Sequence, residues 1–326
     1  MRVTVPDEEC EPSGWMRSVS DHVNVRQGIG RPPAADLGLL LVAVLAISSS
    51  APIIAATAAP AVAISFWRCL LGSGATLPFA VLRHGHELRS LSRDELKWTG
   101  VAGVLLAGHF AMWLPSLRFT SVASSTALVA TQPVWAALIA YRQGVYIARS
   151  AWVGIGLALL GVVVLTGVDF AVDPRALIGD GMALVGGMLS AAYVTAGHRV
   201  RQTVSTPTYT TLAYAVSALA LLPVCLVLGV QMVGFSADDW LKILALTAGA
   251  QLLGHTLMNV VLRSTSATVV SLAVLFEVPG AILIAAVWLG QVPPVAILPA
   301  VVLLGIGLVL VIRSADGDVP LETPPV

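Results

Sequence analysis

Residues 108–133 and 254–279 are one segment written twice. The first copy reads GHFAMWLPSLRFTSVASSTALVATQP and the second GHTLMNVVLRSTSATVVSLAVLFEVP. At a constant offset of 146 residues Gly108 meets Gly254, His109 meets His255, Met112 meets Met258, Ser125 meets Ser271, Ala127 meets Ala273 and Pro133 meets Pro279. A repeat of this length requires one folding unit to be built twice and the two copies to cover each other. Any architecture for the 326 residues must therefore divide into two related halves.

Both copies lie in sequence apolar enough to cross a bilayer. Only 11% of the residues are charged and 57% are hydrophobic, against about 25% charged in a soluble domain. So few charges cannot cover a water-soluble surface, and lipid must solvate much of it. The net charge of zero argues against nucleic acid as a partner. Cys10, Cys69 and Cys225 show no paired spacing, and neither a disulfide framework nor a zinc site is expected.

A spanning helix needs about 20 apolar residues, and ten runs of that kind are present. They lie at 37–57, 62–82, 98–117, 121–141, 150–168, 178–197, 207–229, 240–261, 266–288 and 293–312. The sequence predicts an all-α membrane protein of ten transmembrane helices in two five-helix repeats, 36–168 and 178–313. Residues 1–35 mix acids and arginines with no apolar run and read as a cytoplasmic arm, while 314–326, acidic and Pro-rich, reads as a disordered cytoplasmic tail. With the N-terminus inside, Arg118, Arg175 and Lys242 fall outside, Arg68 is embedded in the second run, and every other Lys and Arg is cytoplasmic. That bias places both termini in the cytoplasm. An odd number of spans per repeat inverts the second half, the arrangement from which secondary transporters expose one central site to either face. The fifth and tenth runs align best with a two-residue slip, Leu160-Gly161 over Leu304-Gly305.

Phe66-Trp67-Arg68 in the second run, the small-residue stretches ending at Pro133-Val134 and Pro279-Gly280, and the glycine-spaced GIGLALLGVVVL from Gly154 occur in a telling order. In these the chain resembles the drug/metabolite transporter superfamily, with two EamA-type domains over about residues 36 to 313. The resemblance implies efflux of small metabolites, amino acids or drugs across a plasma (inner) membrane. The chain departs from it where Tyr141-Arg142-Gln143-Gly144 and Leu289-Gly290-Gln291 lack the usual glutamate, and where Ser48-Ser49-Ser50 replaces an aromatic and a glycine.

The polar groups inside the apolar runs are the candidate site. Glu277 falls at the centre of the ninth run, where a charge costs about 2.5–3.5 kcal/mol on insertion scales and must face protein or a wet cavity. It is either a substrate or proton-coupling group or an acid capping the carbonyl freed by Pro279. His109 and Trp113 form one helical stripe, and Gln251, His255 and Asn259 form its counterpart. Both read as substrate-binding lining, with histidines bonded to backbone carbonyls as the alternative. Tyr193 is further lining. Arg68 is an anion anchor or a structural arginine snorkelling outward beside Trp67. Pro52, Pro133 and Pro279 are predicted hinges. His-x-x-Met in both halves offers soft donors, but two ligands per helix make a thin set, so no metal and no cofactor is assigned.

The expected partners are the bilayer and a small-molecule substrate, and the expected activity is not enzymatic. Neither HExxH, GxSxG nor GxxxxGK[ST] occurs. A channel or passive scaffold is the competing class, with an intramembrane hydrolase as the weaker alternative.

Overall fold

The computed structural model describes residues 34–144, 146–254, 257–258, 261 and 273–315. Helices account for nearly all of it, and no strand occurs among the described residues. The chain runs through α1 (Ala34–Ser48), α2 (Ser50–Ala56), α3 (Ala61–Ser90), α4 (Arg93–Ser116), α5 (Val122–Val129), α6 (Gln132–Arg142), α7 (Arg149–Val172), α8 (Ala176–Val200), α9 (Thr206–Val227) and α10 (Ala237–Leu246). A π-helical stretch, Thr247–Gly254, continues α10; α11 (Glu277–Leu289) and α12 (Leu298–Ala315) follow. The predicted arm and tail lie outside the described residues except for 34–35 and 314–315, which are helical.

Seven stretches among the described residues are long and apolar enough to span: Ala35–Ala56, Ala61–Ser90, Val122–Arg142, Arg149–Val172, Ala176–Val200, Thr206–Val227 and Val295–Ser314. They match seven of the ten predicted runs. The third run is the continuous helix α4, the eighth passes beyond the described residues after Gly254, and the ninth is represented by the shorter α11.

Serines start several helices for one reason, namely that their hydroxyls accept the first free N–H groups. Ser92 caps α4, Ser121 caps α5 and Ser236 caps α10. Prolines break three of them. A proline has no N–H to donate, and its ring clashes with the carbonyl four residues earlier. For Pro52, Pro133 and Pro279 that residue is Ser48, Val129 and Leu275. The helices α1 and α5 end at Ser48 and Val129, and Leu275 begins the turn before α11. At each of the three prolines the helix is interrupted. The breaks at Ala130 and Phe276 are 146 residues apart, the same offset as the duplicated segments.

Packing obeys that offset too. Helix α3 lies on α9, α5 on α11 and α7 on α12, while α4 lies on α8 and α1 on the π-helical stretch. Exchanging the first five runs for the last five returns the same set of neighbours. The first three pairs map onto themselves, and the fourth becomes the fifth. Glycines show this at atomic scale. A methyl added at Gly108 would meet Leu189 Cδ1 at 3.2 Å, and one at Gly254 would meet the Ala43 carbonyl at 3.5 Å. Leu189 and Ala43 are again 146 apart.

The α7–α12 pair corrects the slip read from the sequence. A methyl on Gly161 would stand 3.0 Å from the Ala300 carbonyl, and one on Gly307 would stand 2.6 Å from the Gly154 carbonyl. These two contacts interchange only if Gly161 corresponds to Gly307. Gly305, the partner chosen by letter matching, has open space where a side chain would go. Close backbone approach, which only glycine permits, fixes the register that an apolar sequence leaves ambiguous.

Candidate functional site

Arg68 is two turns into α3, facing the second half. It is 2% exposed, so it does not snorkel to the membrane boundary. Its Nε donates to Gln251 Oε1 at 2.8 Å, and Gln251 Nε2 returns a bond to the Arg68 carbonyl at 3.3 Å. The guanidinium carbon rests 4.2 Å from the centre of the Phe110 ring, a cation–π contact strengthened by burial. Gly72, one turn further along α3, leaves room for the Gln251 amide and the Tyr214 ring, both of which a methyl there would strike. Arg68 Nη1 is buried and has no hydrogen-bond partner. A buried donor left unpaired is costly, and this one is available to a ligand.

Glu277 is half-buried at the start of α11 and in electrostatic range of Arg68. The ion pairs among the described residues do not include it. Its alternative role as a cap has lost its target, because the Leu275 carbonyl freed by Pro279 accepts from the Val278 N–H at 3.4 Å. Arg68 and Glu277 come from the two different halves and lie within electrostatic range of each other.

His109 and Trp113 stand beside this group. Their rings stack at 5.6 Å, and His109 Nδ1 donates to the Gly186 carbonyl on α8 at 2.9 Å. Close approach of α4 and α8 requires Gly186, where a methyl would meet Trp113 Cβ at 3.2 Å. The stripe is therefore turned toward α8. Phe110, one residue on and about 100° around the helix, is the side chain that meets Arg68, and its ring lies 5.0 Å from that of His109. Tyr193 stacks on Tyr209 at 6.5 Å and is close enough to Tyr214 to interact with it electrostatically. His255 and Asn259 lie outside the described residues.

The sequence reading missed Phe110 and a buried pair of carboxyl groups. Asp169 at the end of α7 and Asp180 at the start of α8 are 7% and 2% exposed. Both oxygens of Asp180 and Oδ2 of Asp169 lack hydrogen-bond partners. Among the described residues no group of three or more His, Cys, Asp or Glu is placed to hold a metal ion.

Comparison with known proteins follows the same division into halves. The EamA-like transporter family matches twice, over residues 36–167 and 177–313. The chain belongs to this family. A family of transporters, twofold coverage and the long apolar helices make it a multi-pass membrane protein of the transporter class. A solved structure described only as "Crystal structure of protein" is similar over 85% of this EamA-family chain and 97% of its own length, with 20% identity and a TM-score of 0.58, which supports the fold alone. No curated protein matches the chain.

Proposed function

We propose that this protein is a secondary transporter that carries a small solute across a plasma (inner) membrane by alternating access. Ten spans form two inverted halves, residues 36–168 and 178–313, with both termini cytoplasmic. The substrate site lies between Arg68, Phe110, Tyr214 and Gln251, with Glu277 opposite. His109, Trp113 and Tyr193 form its wall, and His255 and Asn259 complete the stripe begun by Gln251. The observation that carries this reading is the division of the charged and polar groups between the halves. Arg68 comes from the first and Gln251 and Glu277 from the second, so a solute bound among them is bound to the moving seam.

Arg68 Nη1 suits a carboxylate or phosphate. The Phe110 face suits an apolar or aromatic body. The substrate class is therefore an amphipathic metabolite, amino acid or drug, and family membership favours export. Glu277 is the candidate proton carrier. Counterflow of radiolabelled solute in preloaded proteoliposomes tests the carrier reading, with candidates taken from a metabolite comparison of cells with and without the protein. A carrier accelerates exchange when solute is present on the far side; a channel does not, and that result would replace transport by passive permeation.

A further inference from the structure

We propose that Asp239 and Glu95 are reciprocal gate latches, one at each face of the membrane, and that they are positioning residues for transport. The proposal rests on the alternating-access reading above. Each acid is the third residue of a helix that follows a serine cap, Glu95 on α4 and Asp239 on α10. Each divides its two oxygens in the same way. Glu95 Oε2 accepts from the Ser92 N–H at 2.7 Å, and Asp239 Oδ2 accepts from the Ser236 hydroxyl at 2.8 Å. The second oxygen leaves its own helix. Asp239 Oδ1 accepts from the Ala58 N–H at 2.8 Å, in the connection between α2 and α3. Glu95 Oε1 accepts from the Thr203 hydroxyl at 2.6 Å, in the connection between α8 and α9.

The two connections are counterparts, since Ala58 plus the 146-residue offset is Val204, next to Thr203. Each bond also crosses between the halves. At one face an acid of the second half holds a loop of the first, and at the other face the roles are exchanged. Neighbouring residues reinforce both. Lys242 Nζ of the second half donates to the Ala56 carbonyl of the first at 3.0 Å, and Arg118, in the same half as that loop, braces it at the Thr57 carbonyl and, at 3.1 Å, at the Ala59 carbonyl. On the opposite side Ser205 N–H donates to Glu87 Oε1 at 2.7 Å, and Arg199 pairs with Asp94 at 3.2 Å. A helix cap alone has no need of a second oxygen spent on a loop of the other half. A gate has that need, because opening either face requires the halves to part there.

Cys69, fully buried next to Arg68, reports which face is open. The experiment labels the full-length protein with a membrane-impermeant thiol reagent, in intact cells and in inverted vesicles, and reads Cys69 by mass spectrometry. Loss of one charge-assisted bond shifts a two-state equilibrium by about tenfold. D239N and K242Q raise Cys69 labelling by about that factor at one face. E95Q and T203V raise it at the other. K242Q and T203V leave both serine caps intact, so they keep the test sound if the acid variants fold poorly. Labelling that stays at the wild-type level, or rises equally at both faces in all four variants, overturns the latches. Wild-type Cys69 that labels from both faces in either case leaves the transport reading standing; wild-type labelling from a single face overturns alternating access itself.

Discussion

Thr131 and Glu277 occupy the same place in the two halves, just after the break of a proline-bent helix, and they have opposite fates. The Thr131 hydroxyl donates to the Leu128 carbonyl at 2.6 Å and accepts from Trp135 Nε1 at 3.0 Å. It lies against Gly187 of α8, where a methyl would meet its Oγ1 at 3.3 Å. Its polar capacity is used locally. Glu277 makes no such local bond and faces Arg68 through space. The repeat thus copies backbone geometry faithfully, while chemistry is free to diverge at the sites the geometry creates. A break in a membrane helix frees polar groups; one half closes that opening with a threonine and the other keeps a carboxyl in it.

The largest effect is expected at Arg68. Arg68 is held by a hydrogen bond to Gln251 and by the Phe110 ring, and a hydrogen bond to a charged group is worth about 1.5–3 kcal/mol, so R68M should lower the melting temperature in detergent and abolish counterflow. Unchanged melting and exchange would show that the charges on the two sides of the seam do not act together.

Next in size, E277Q should eliminate solute accumulation driven by a pH gradient, by tenfold or more, while equilibrium exchange persists. The exchanged double variant T131E/E277T should be equally uncoupled, since Thr131 faces α8 and not Arg68. Restored coupling in that variant would mean that the halves are chemically interchangeable.

Smaller again is the glycine test of the register. G307A should destabilise by about 1–3 kcal/mol through overpacking, because the new methyl meets the Ala158 nitrogen at 2.5 Å. G305A should leave the melting temperature unchanged. The reverse ranking would restore the two-residue slip. T131V, which loses two neutral hydrogen bonds, should cost about 1–3 kcal/mol and leave pH-driven accumulation intact.

The smallest effect concerns acidity at the latch. The Ala58 N–H, the Ser236 hydroxyl and nearby Lys242 hold the Asp239 carboxyl below its ordinary range. A depressed folded-state pKa means that the stabilisation is present above the unfolded value of about 3.9 and fades as pH falls through the folded value. The melting difference between wild type and D239N should therefore be constant above about pH 5 and close below about pH 4. A difference that persists at lower pH would assign the effect to something other than the carboxylate.

Much of this was legible in the amino-acid sequence because membrane burial makes a few rules strict. The prolines located the three breaks to within a residue or two, since the clash with the fourth preceding carbonyl leaves little choice. Arg68 and Glu277 stood out because charges are so rare inside the apolar runs. The polar stripe on α4 pointed to His109 and Trp113, yet their rings stack beside α8 and an apolar phenylalanine carries the contact with Arg68. Polarity marks a buried face without saying which neighbour it meets. Asp169 and Asp180 were passed over because they flank a short connection, where acids read as solvated. The register of α7 against α12 escaped for the opposite reason, since many near-identical apolar letters fit several alignments and only backbone proximity selects one.

The pairing of α3 with α9, α7 with α12 and α1 with the π-helical stretch also bears on synthesis. Each of these helices has its mate in the part of the chain translated later. A ribosome that has finished α7 has delivered a face holding Gly154 and Gly161 with nothing to receive it, since its mate α12 is translated later. The first half must wait in the bilayer, its small-residue grooves held open to lipid, until the second half is inserted. For this chain, inserting α12 and consolidating α7 are one event.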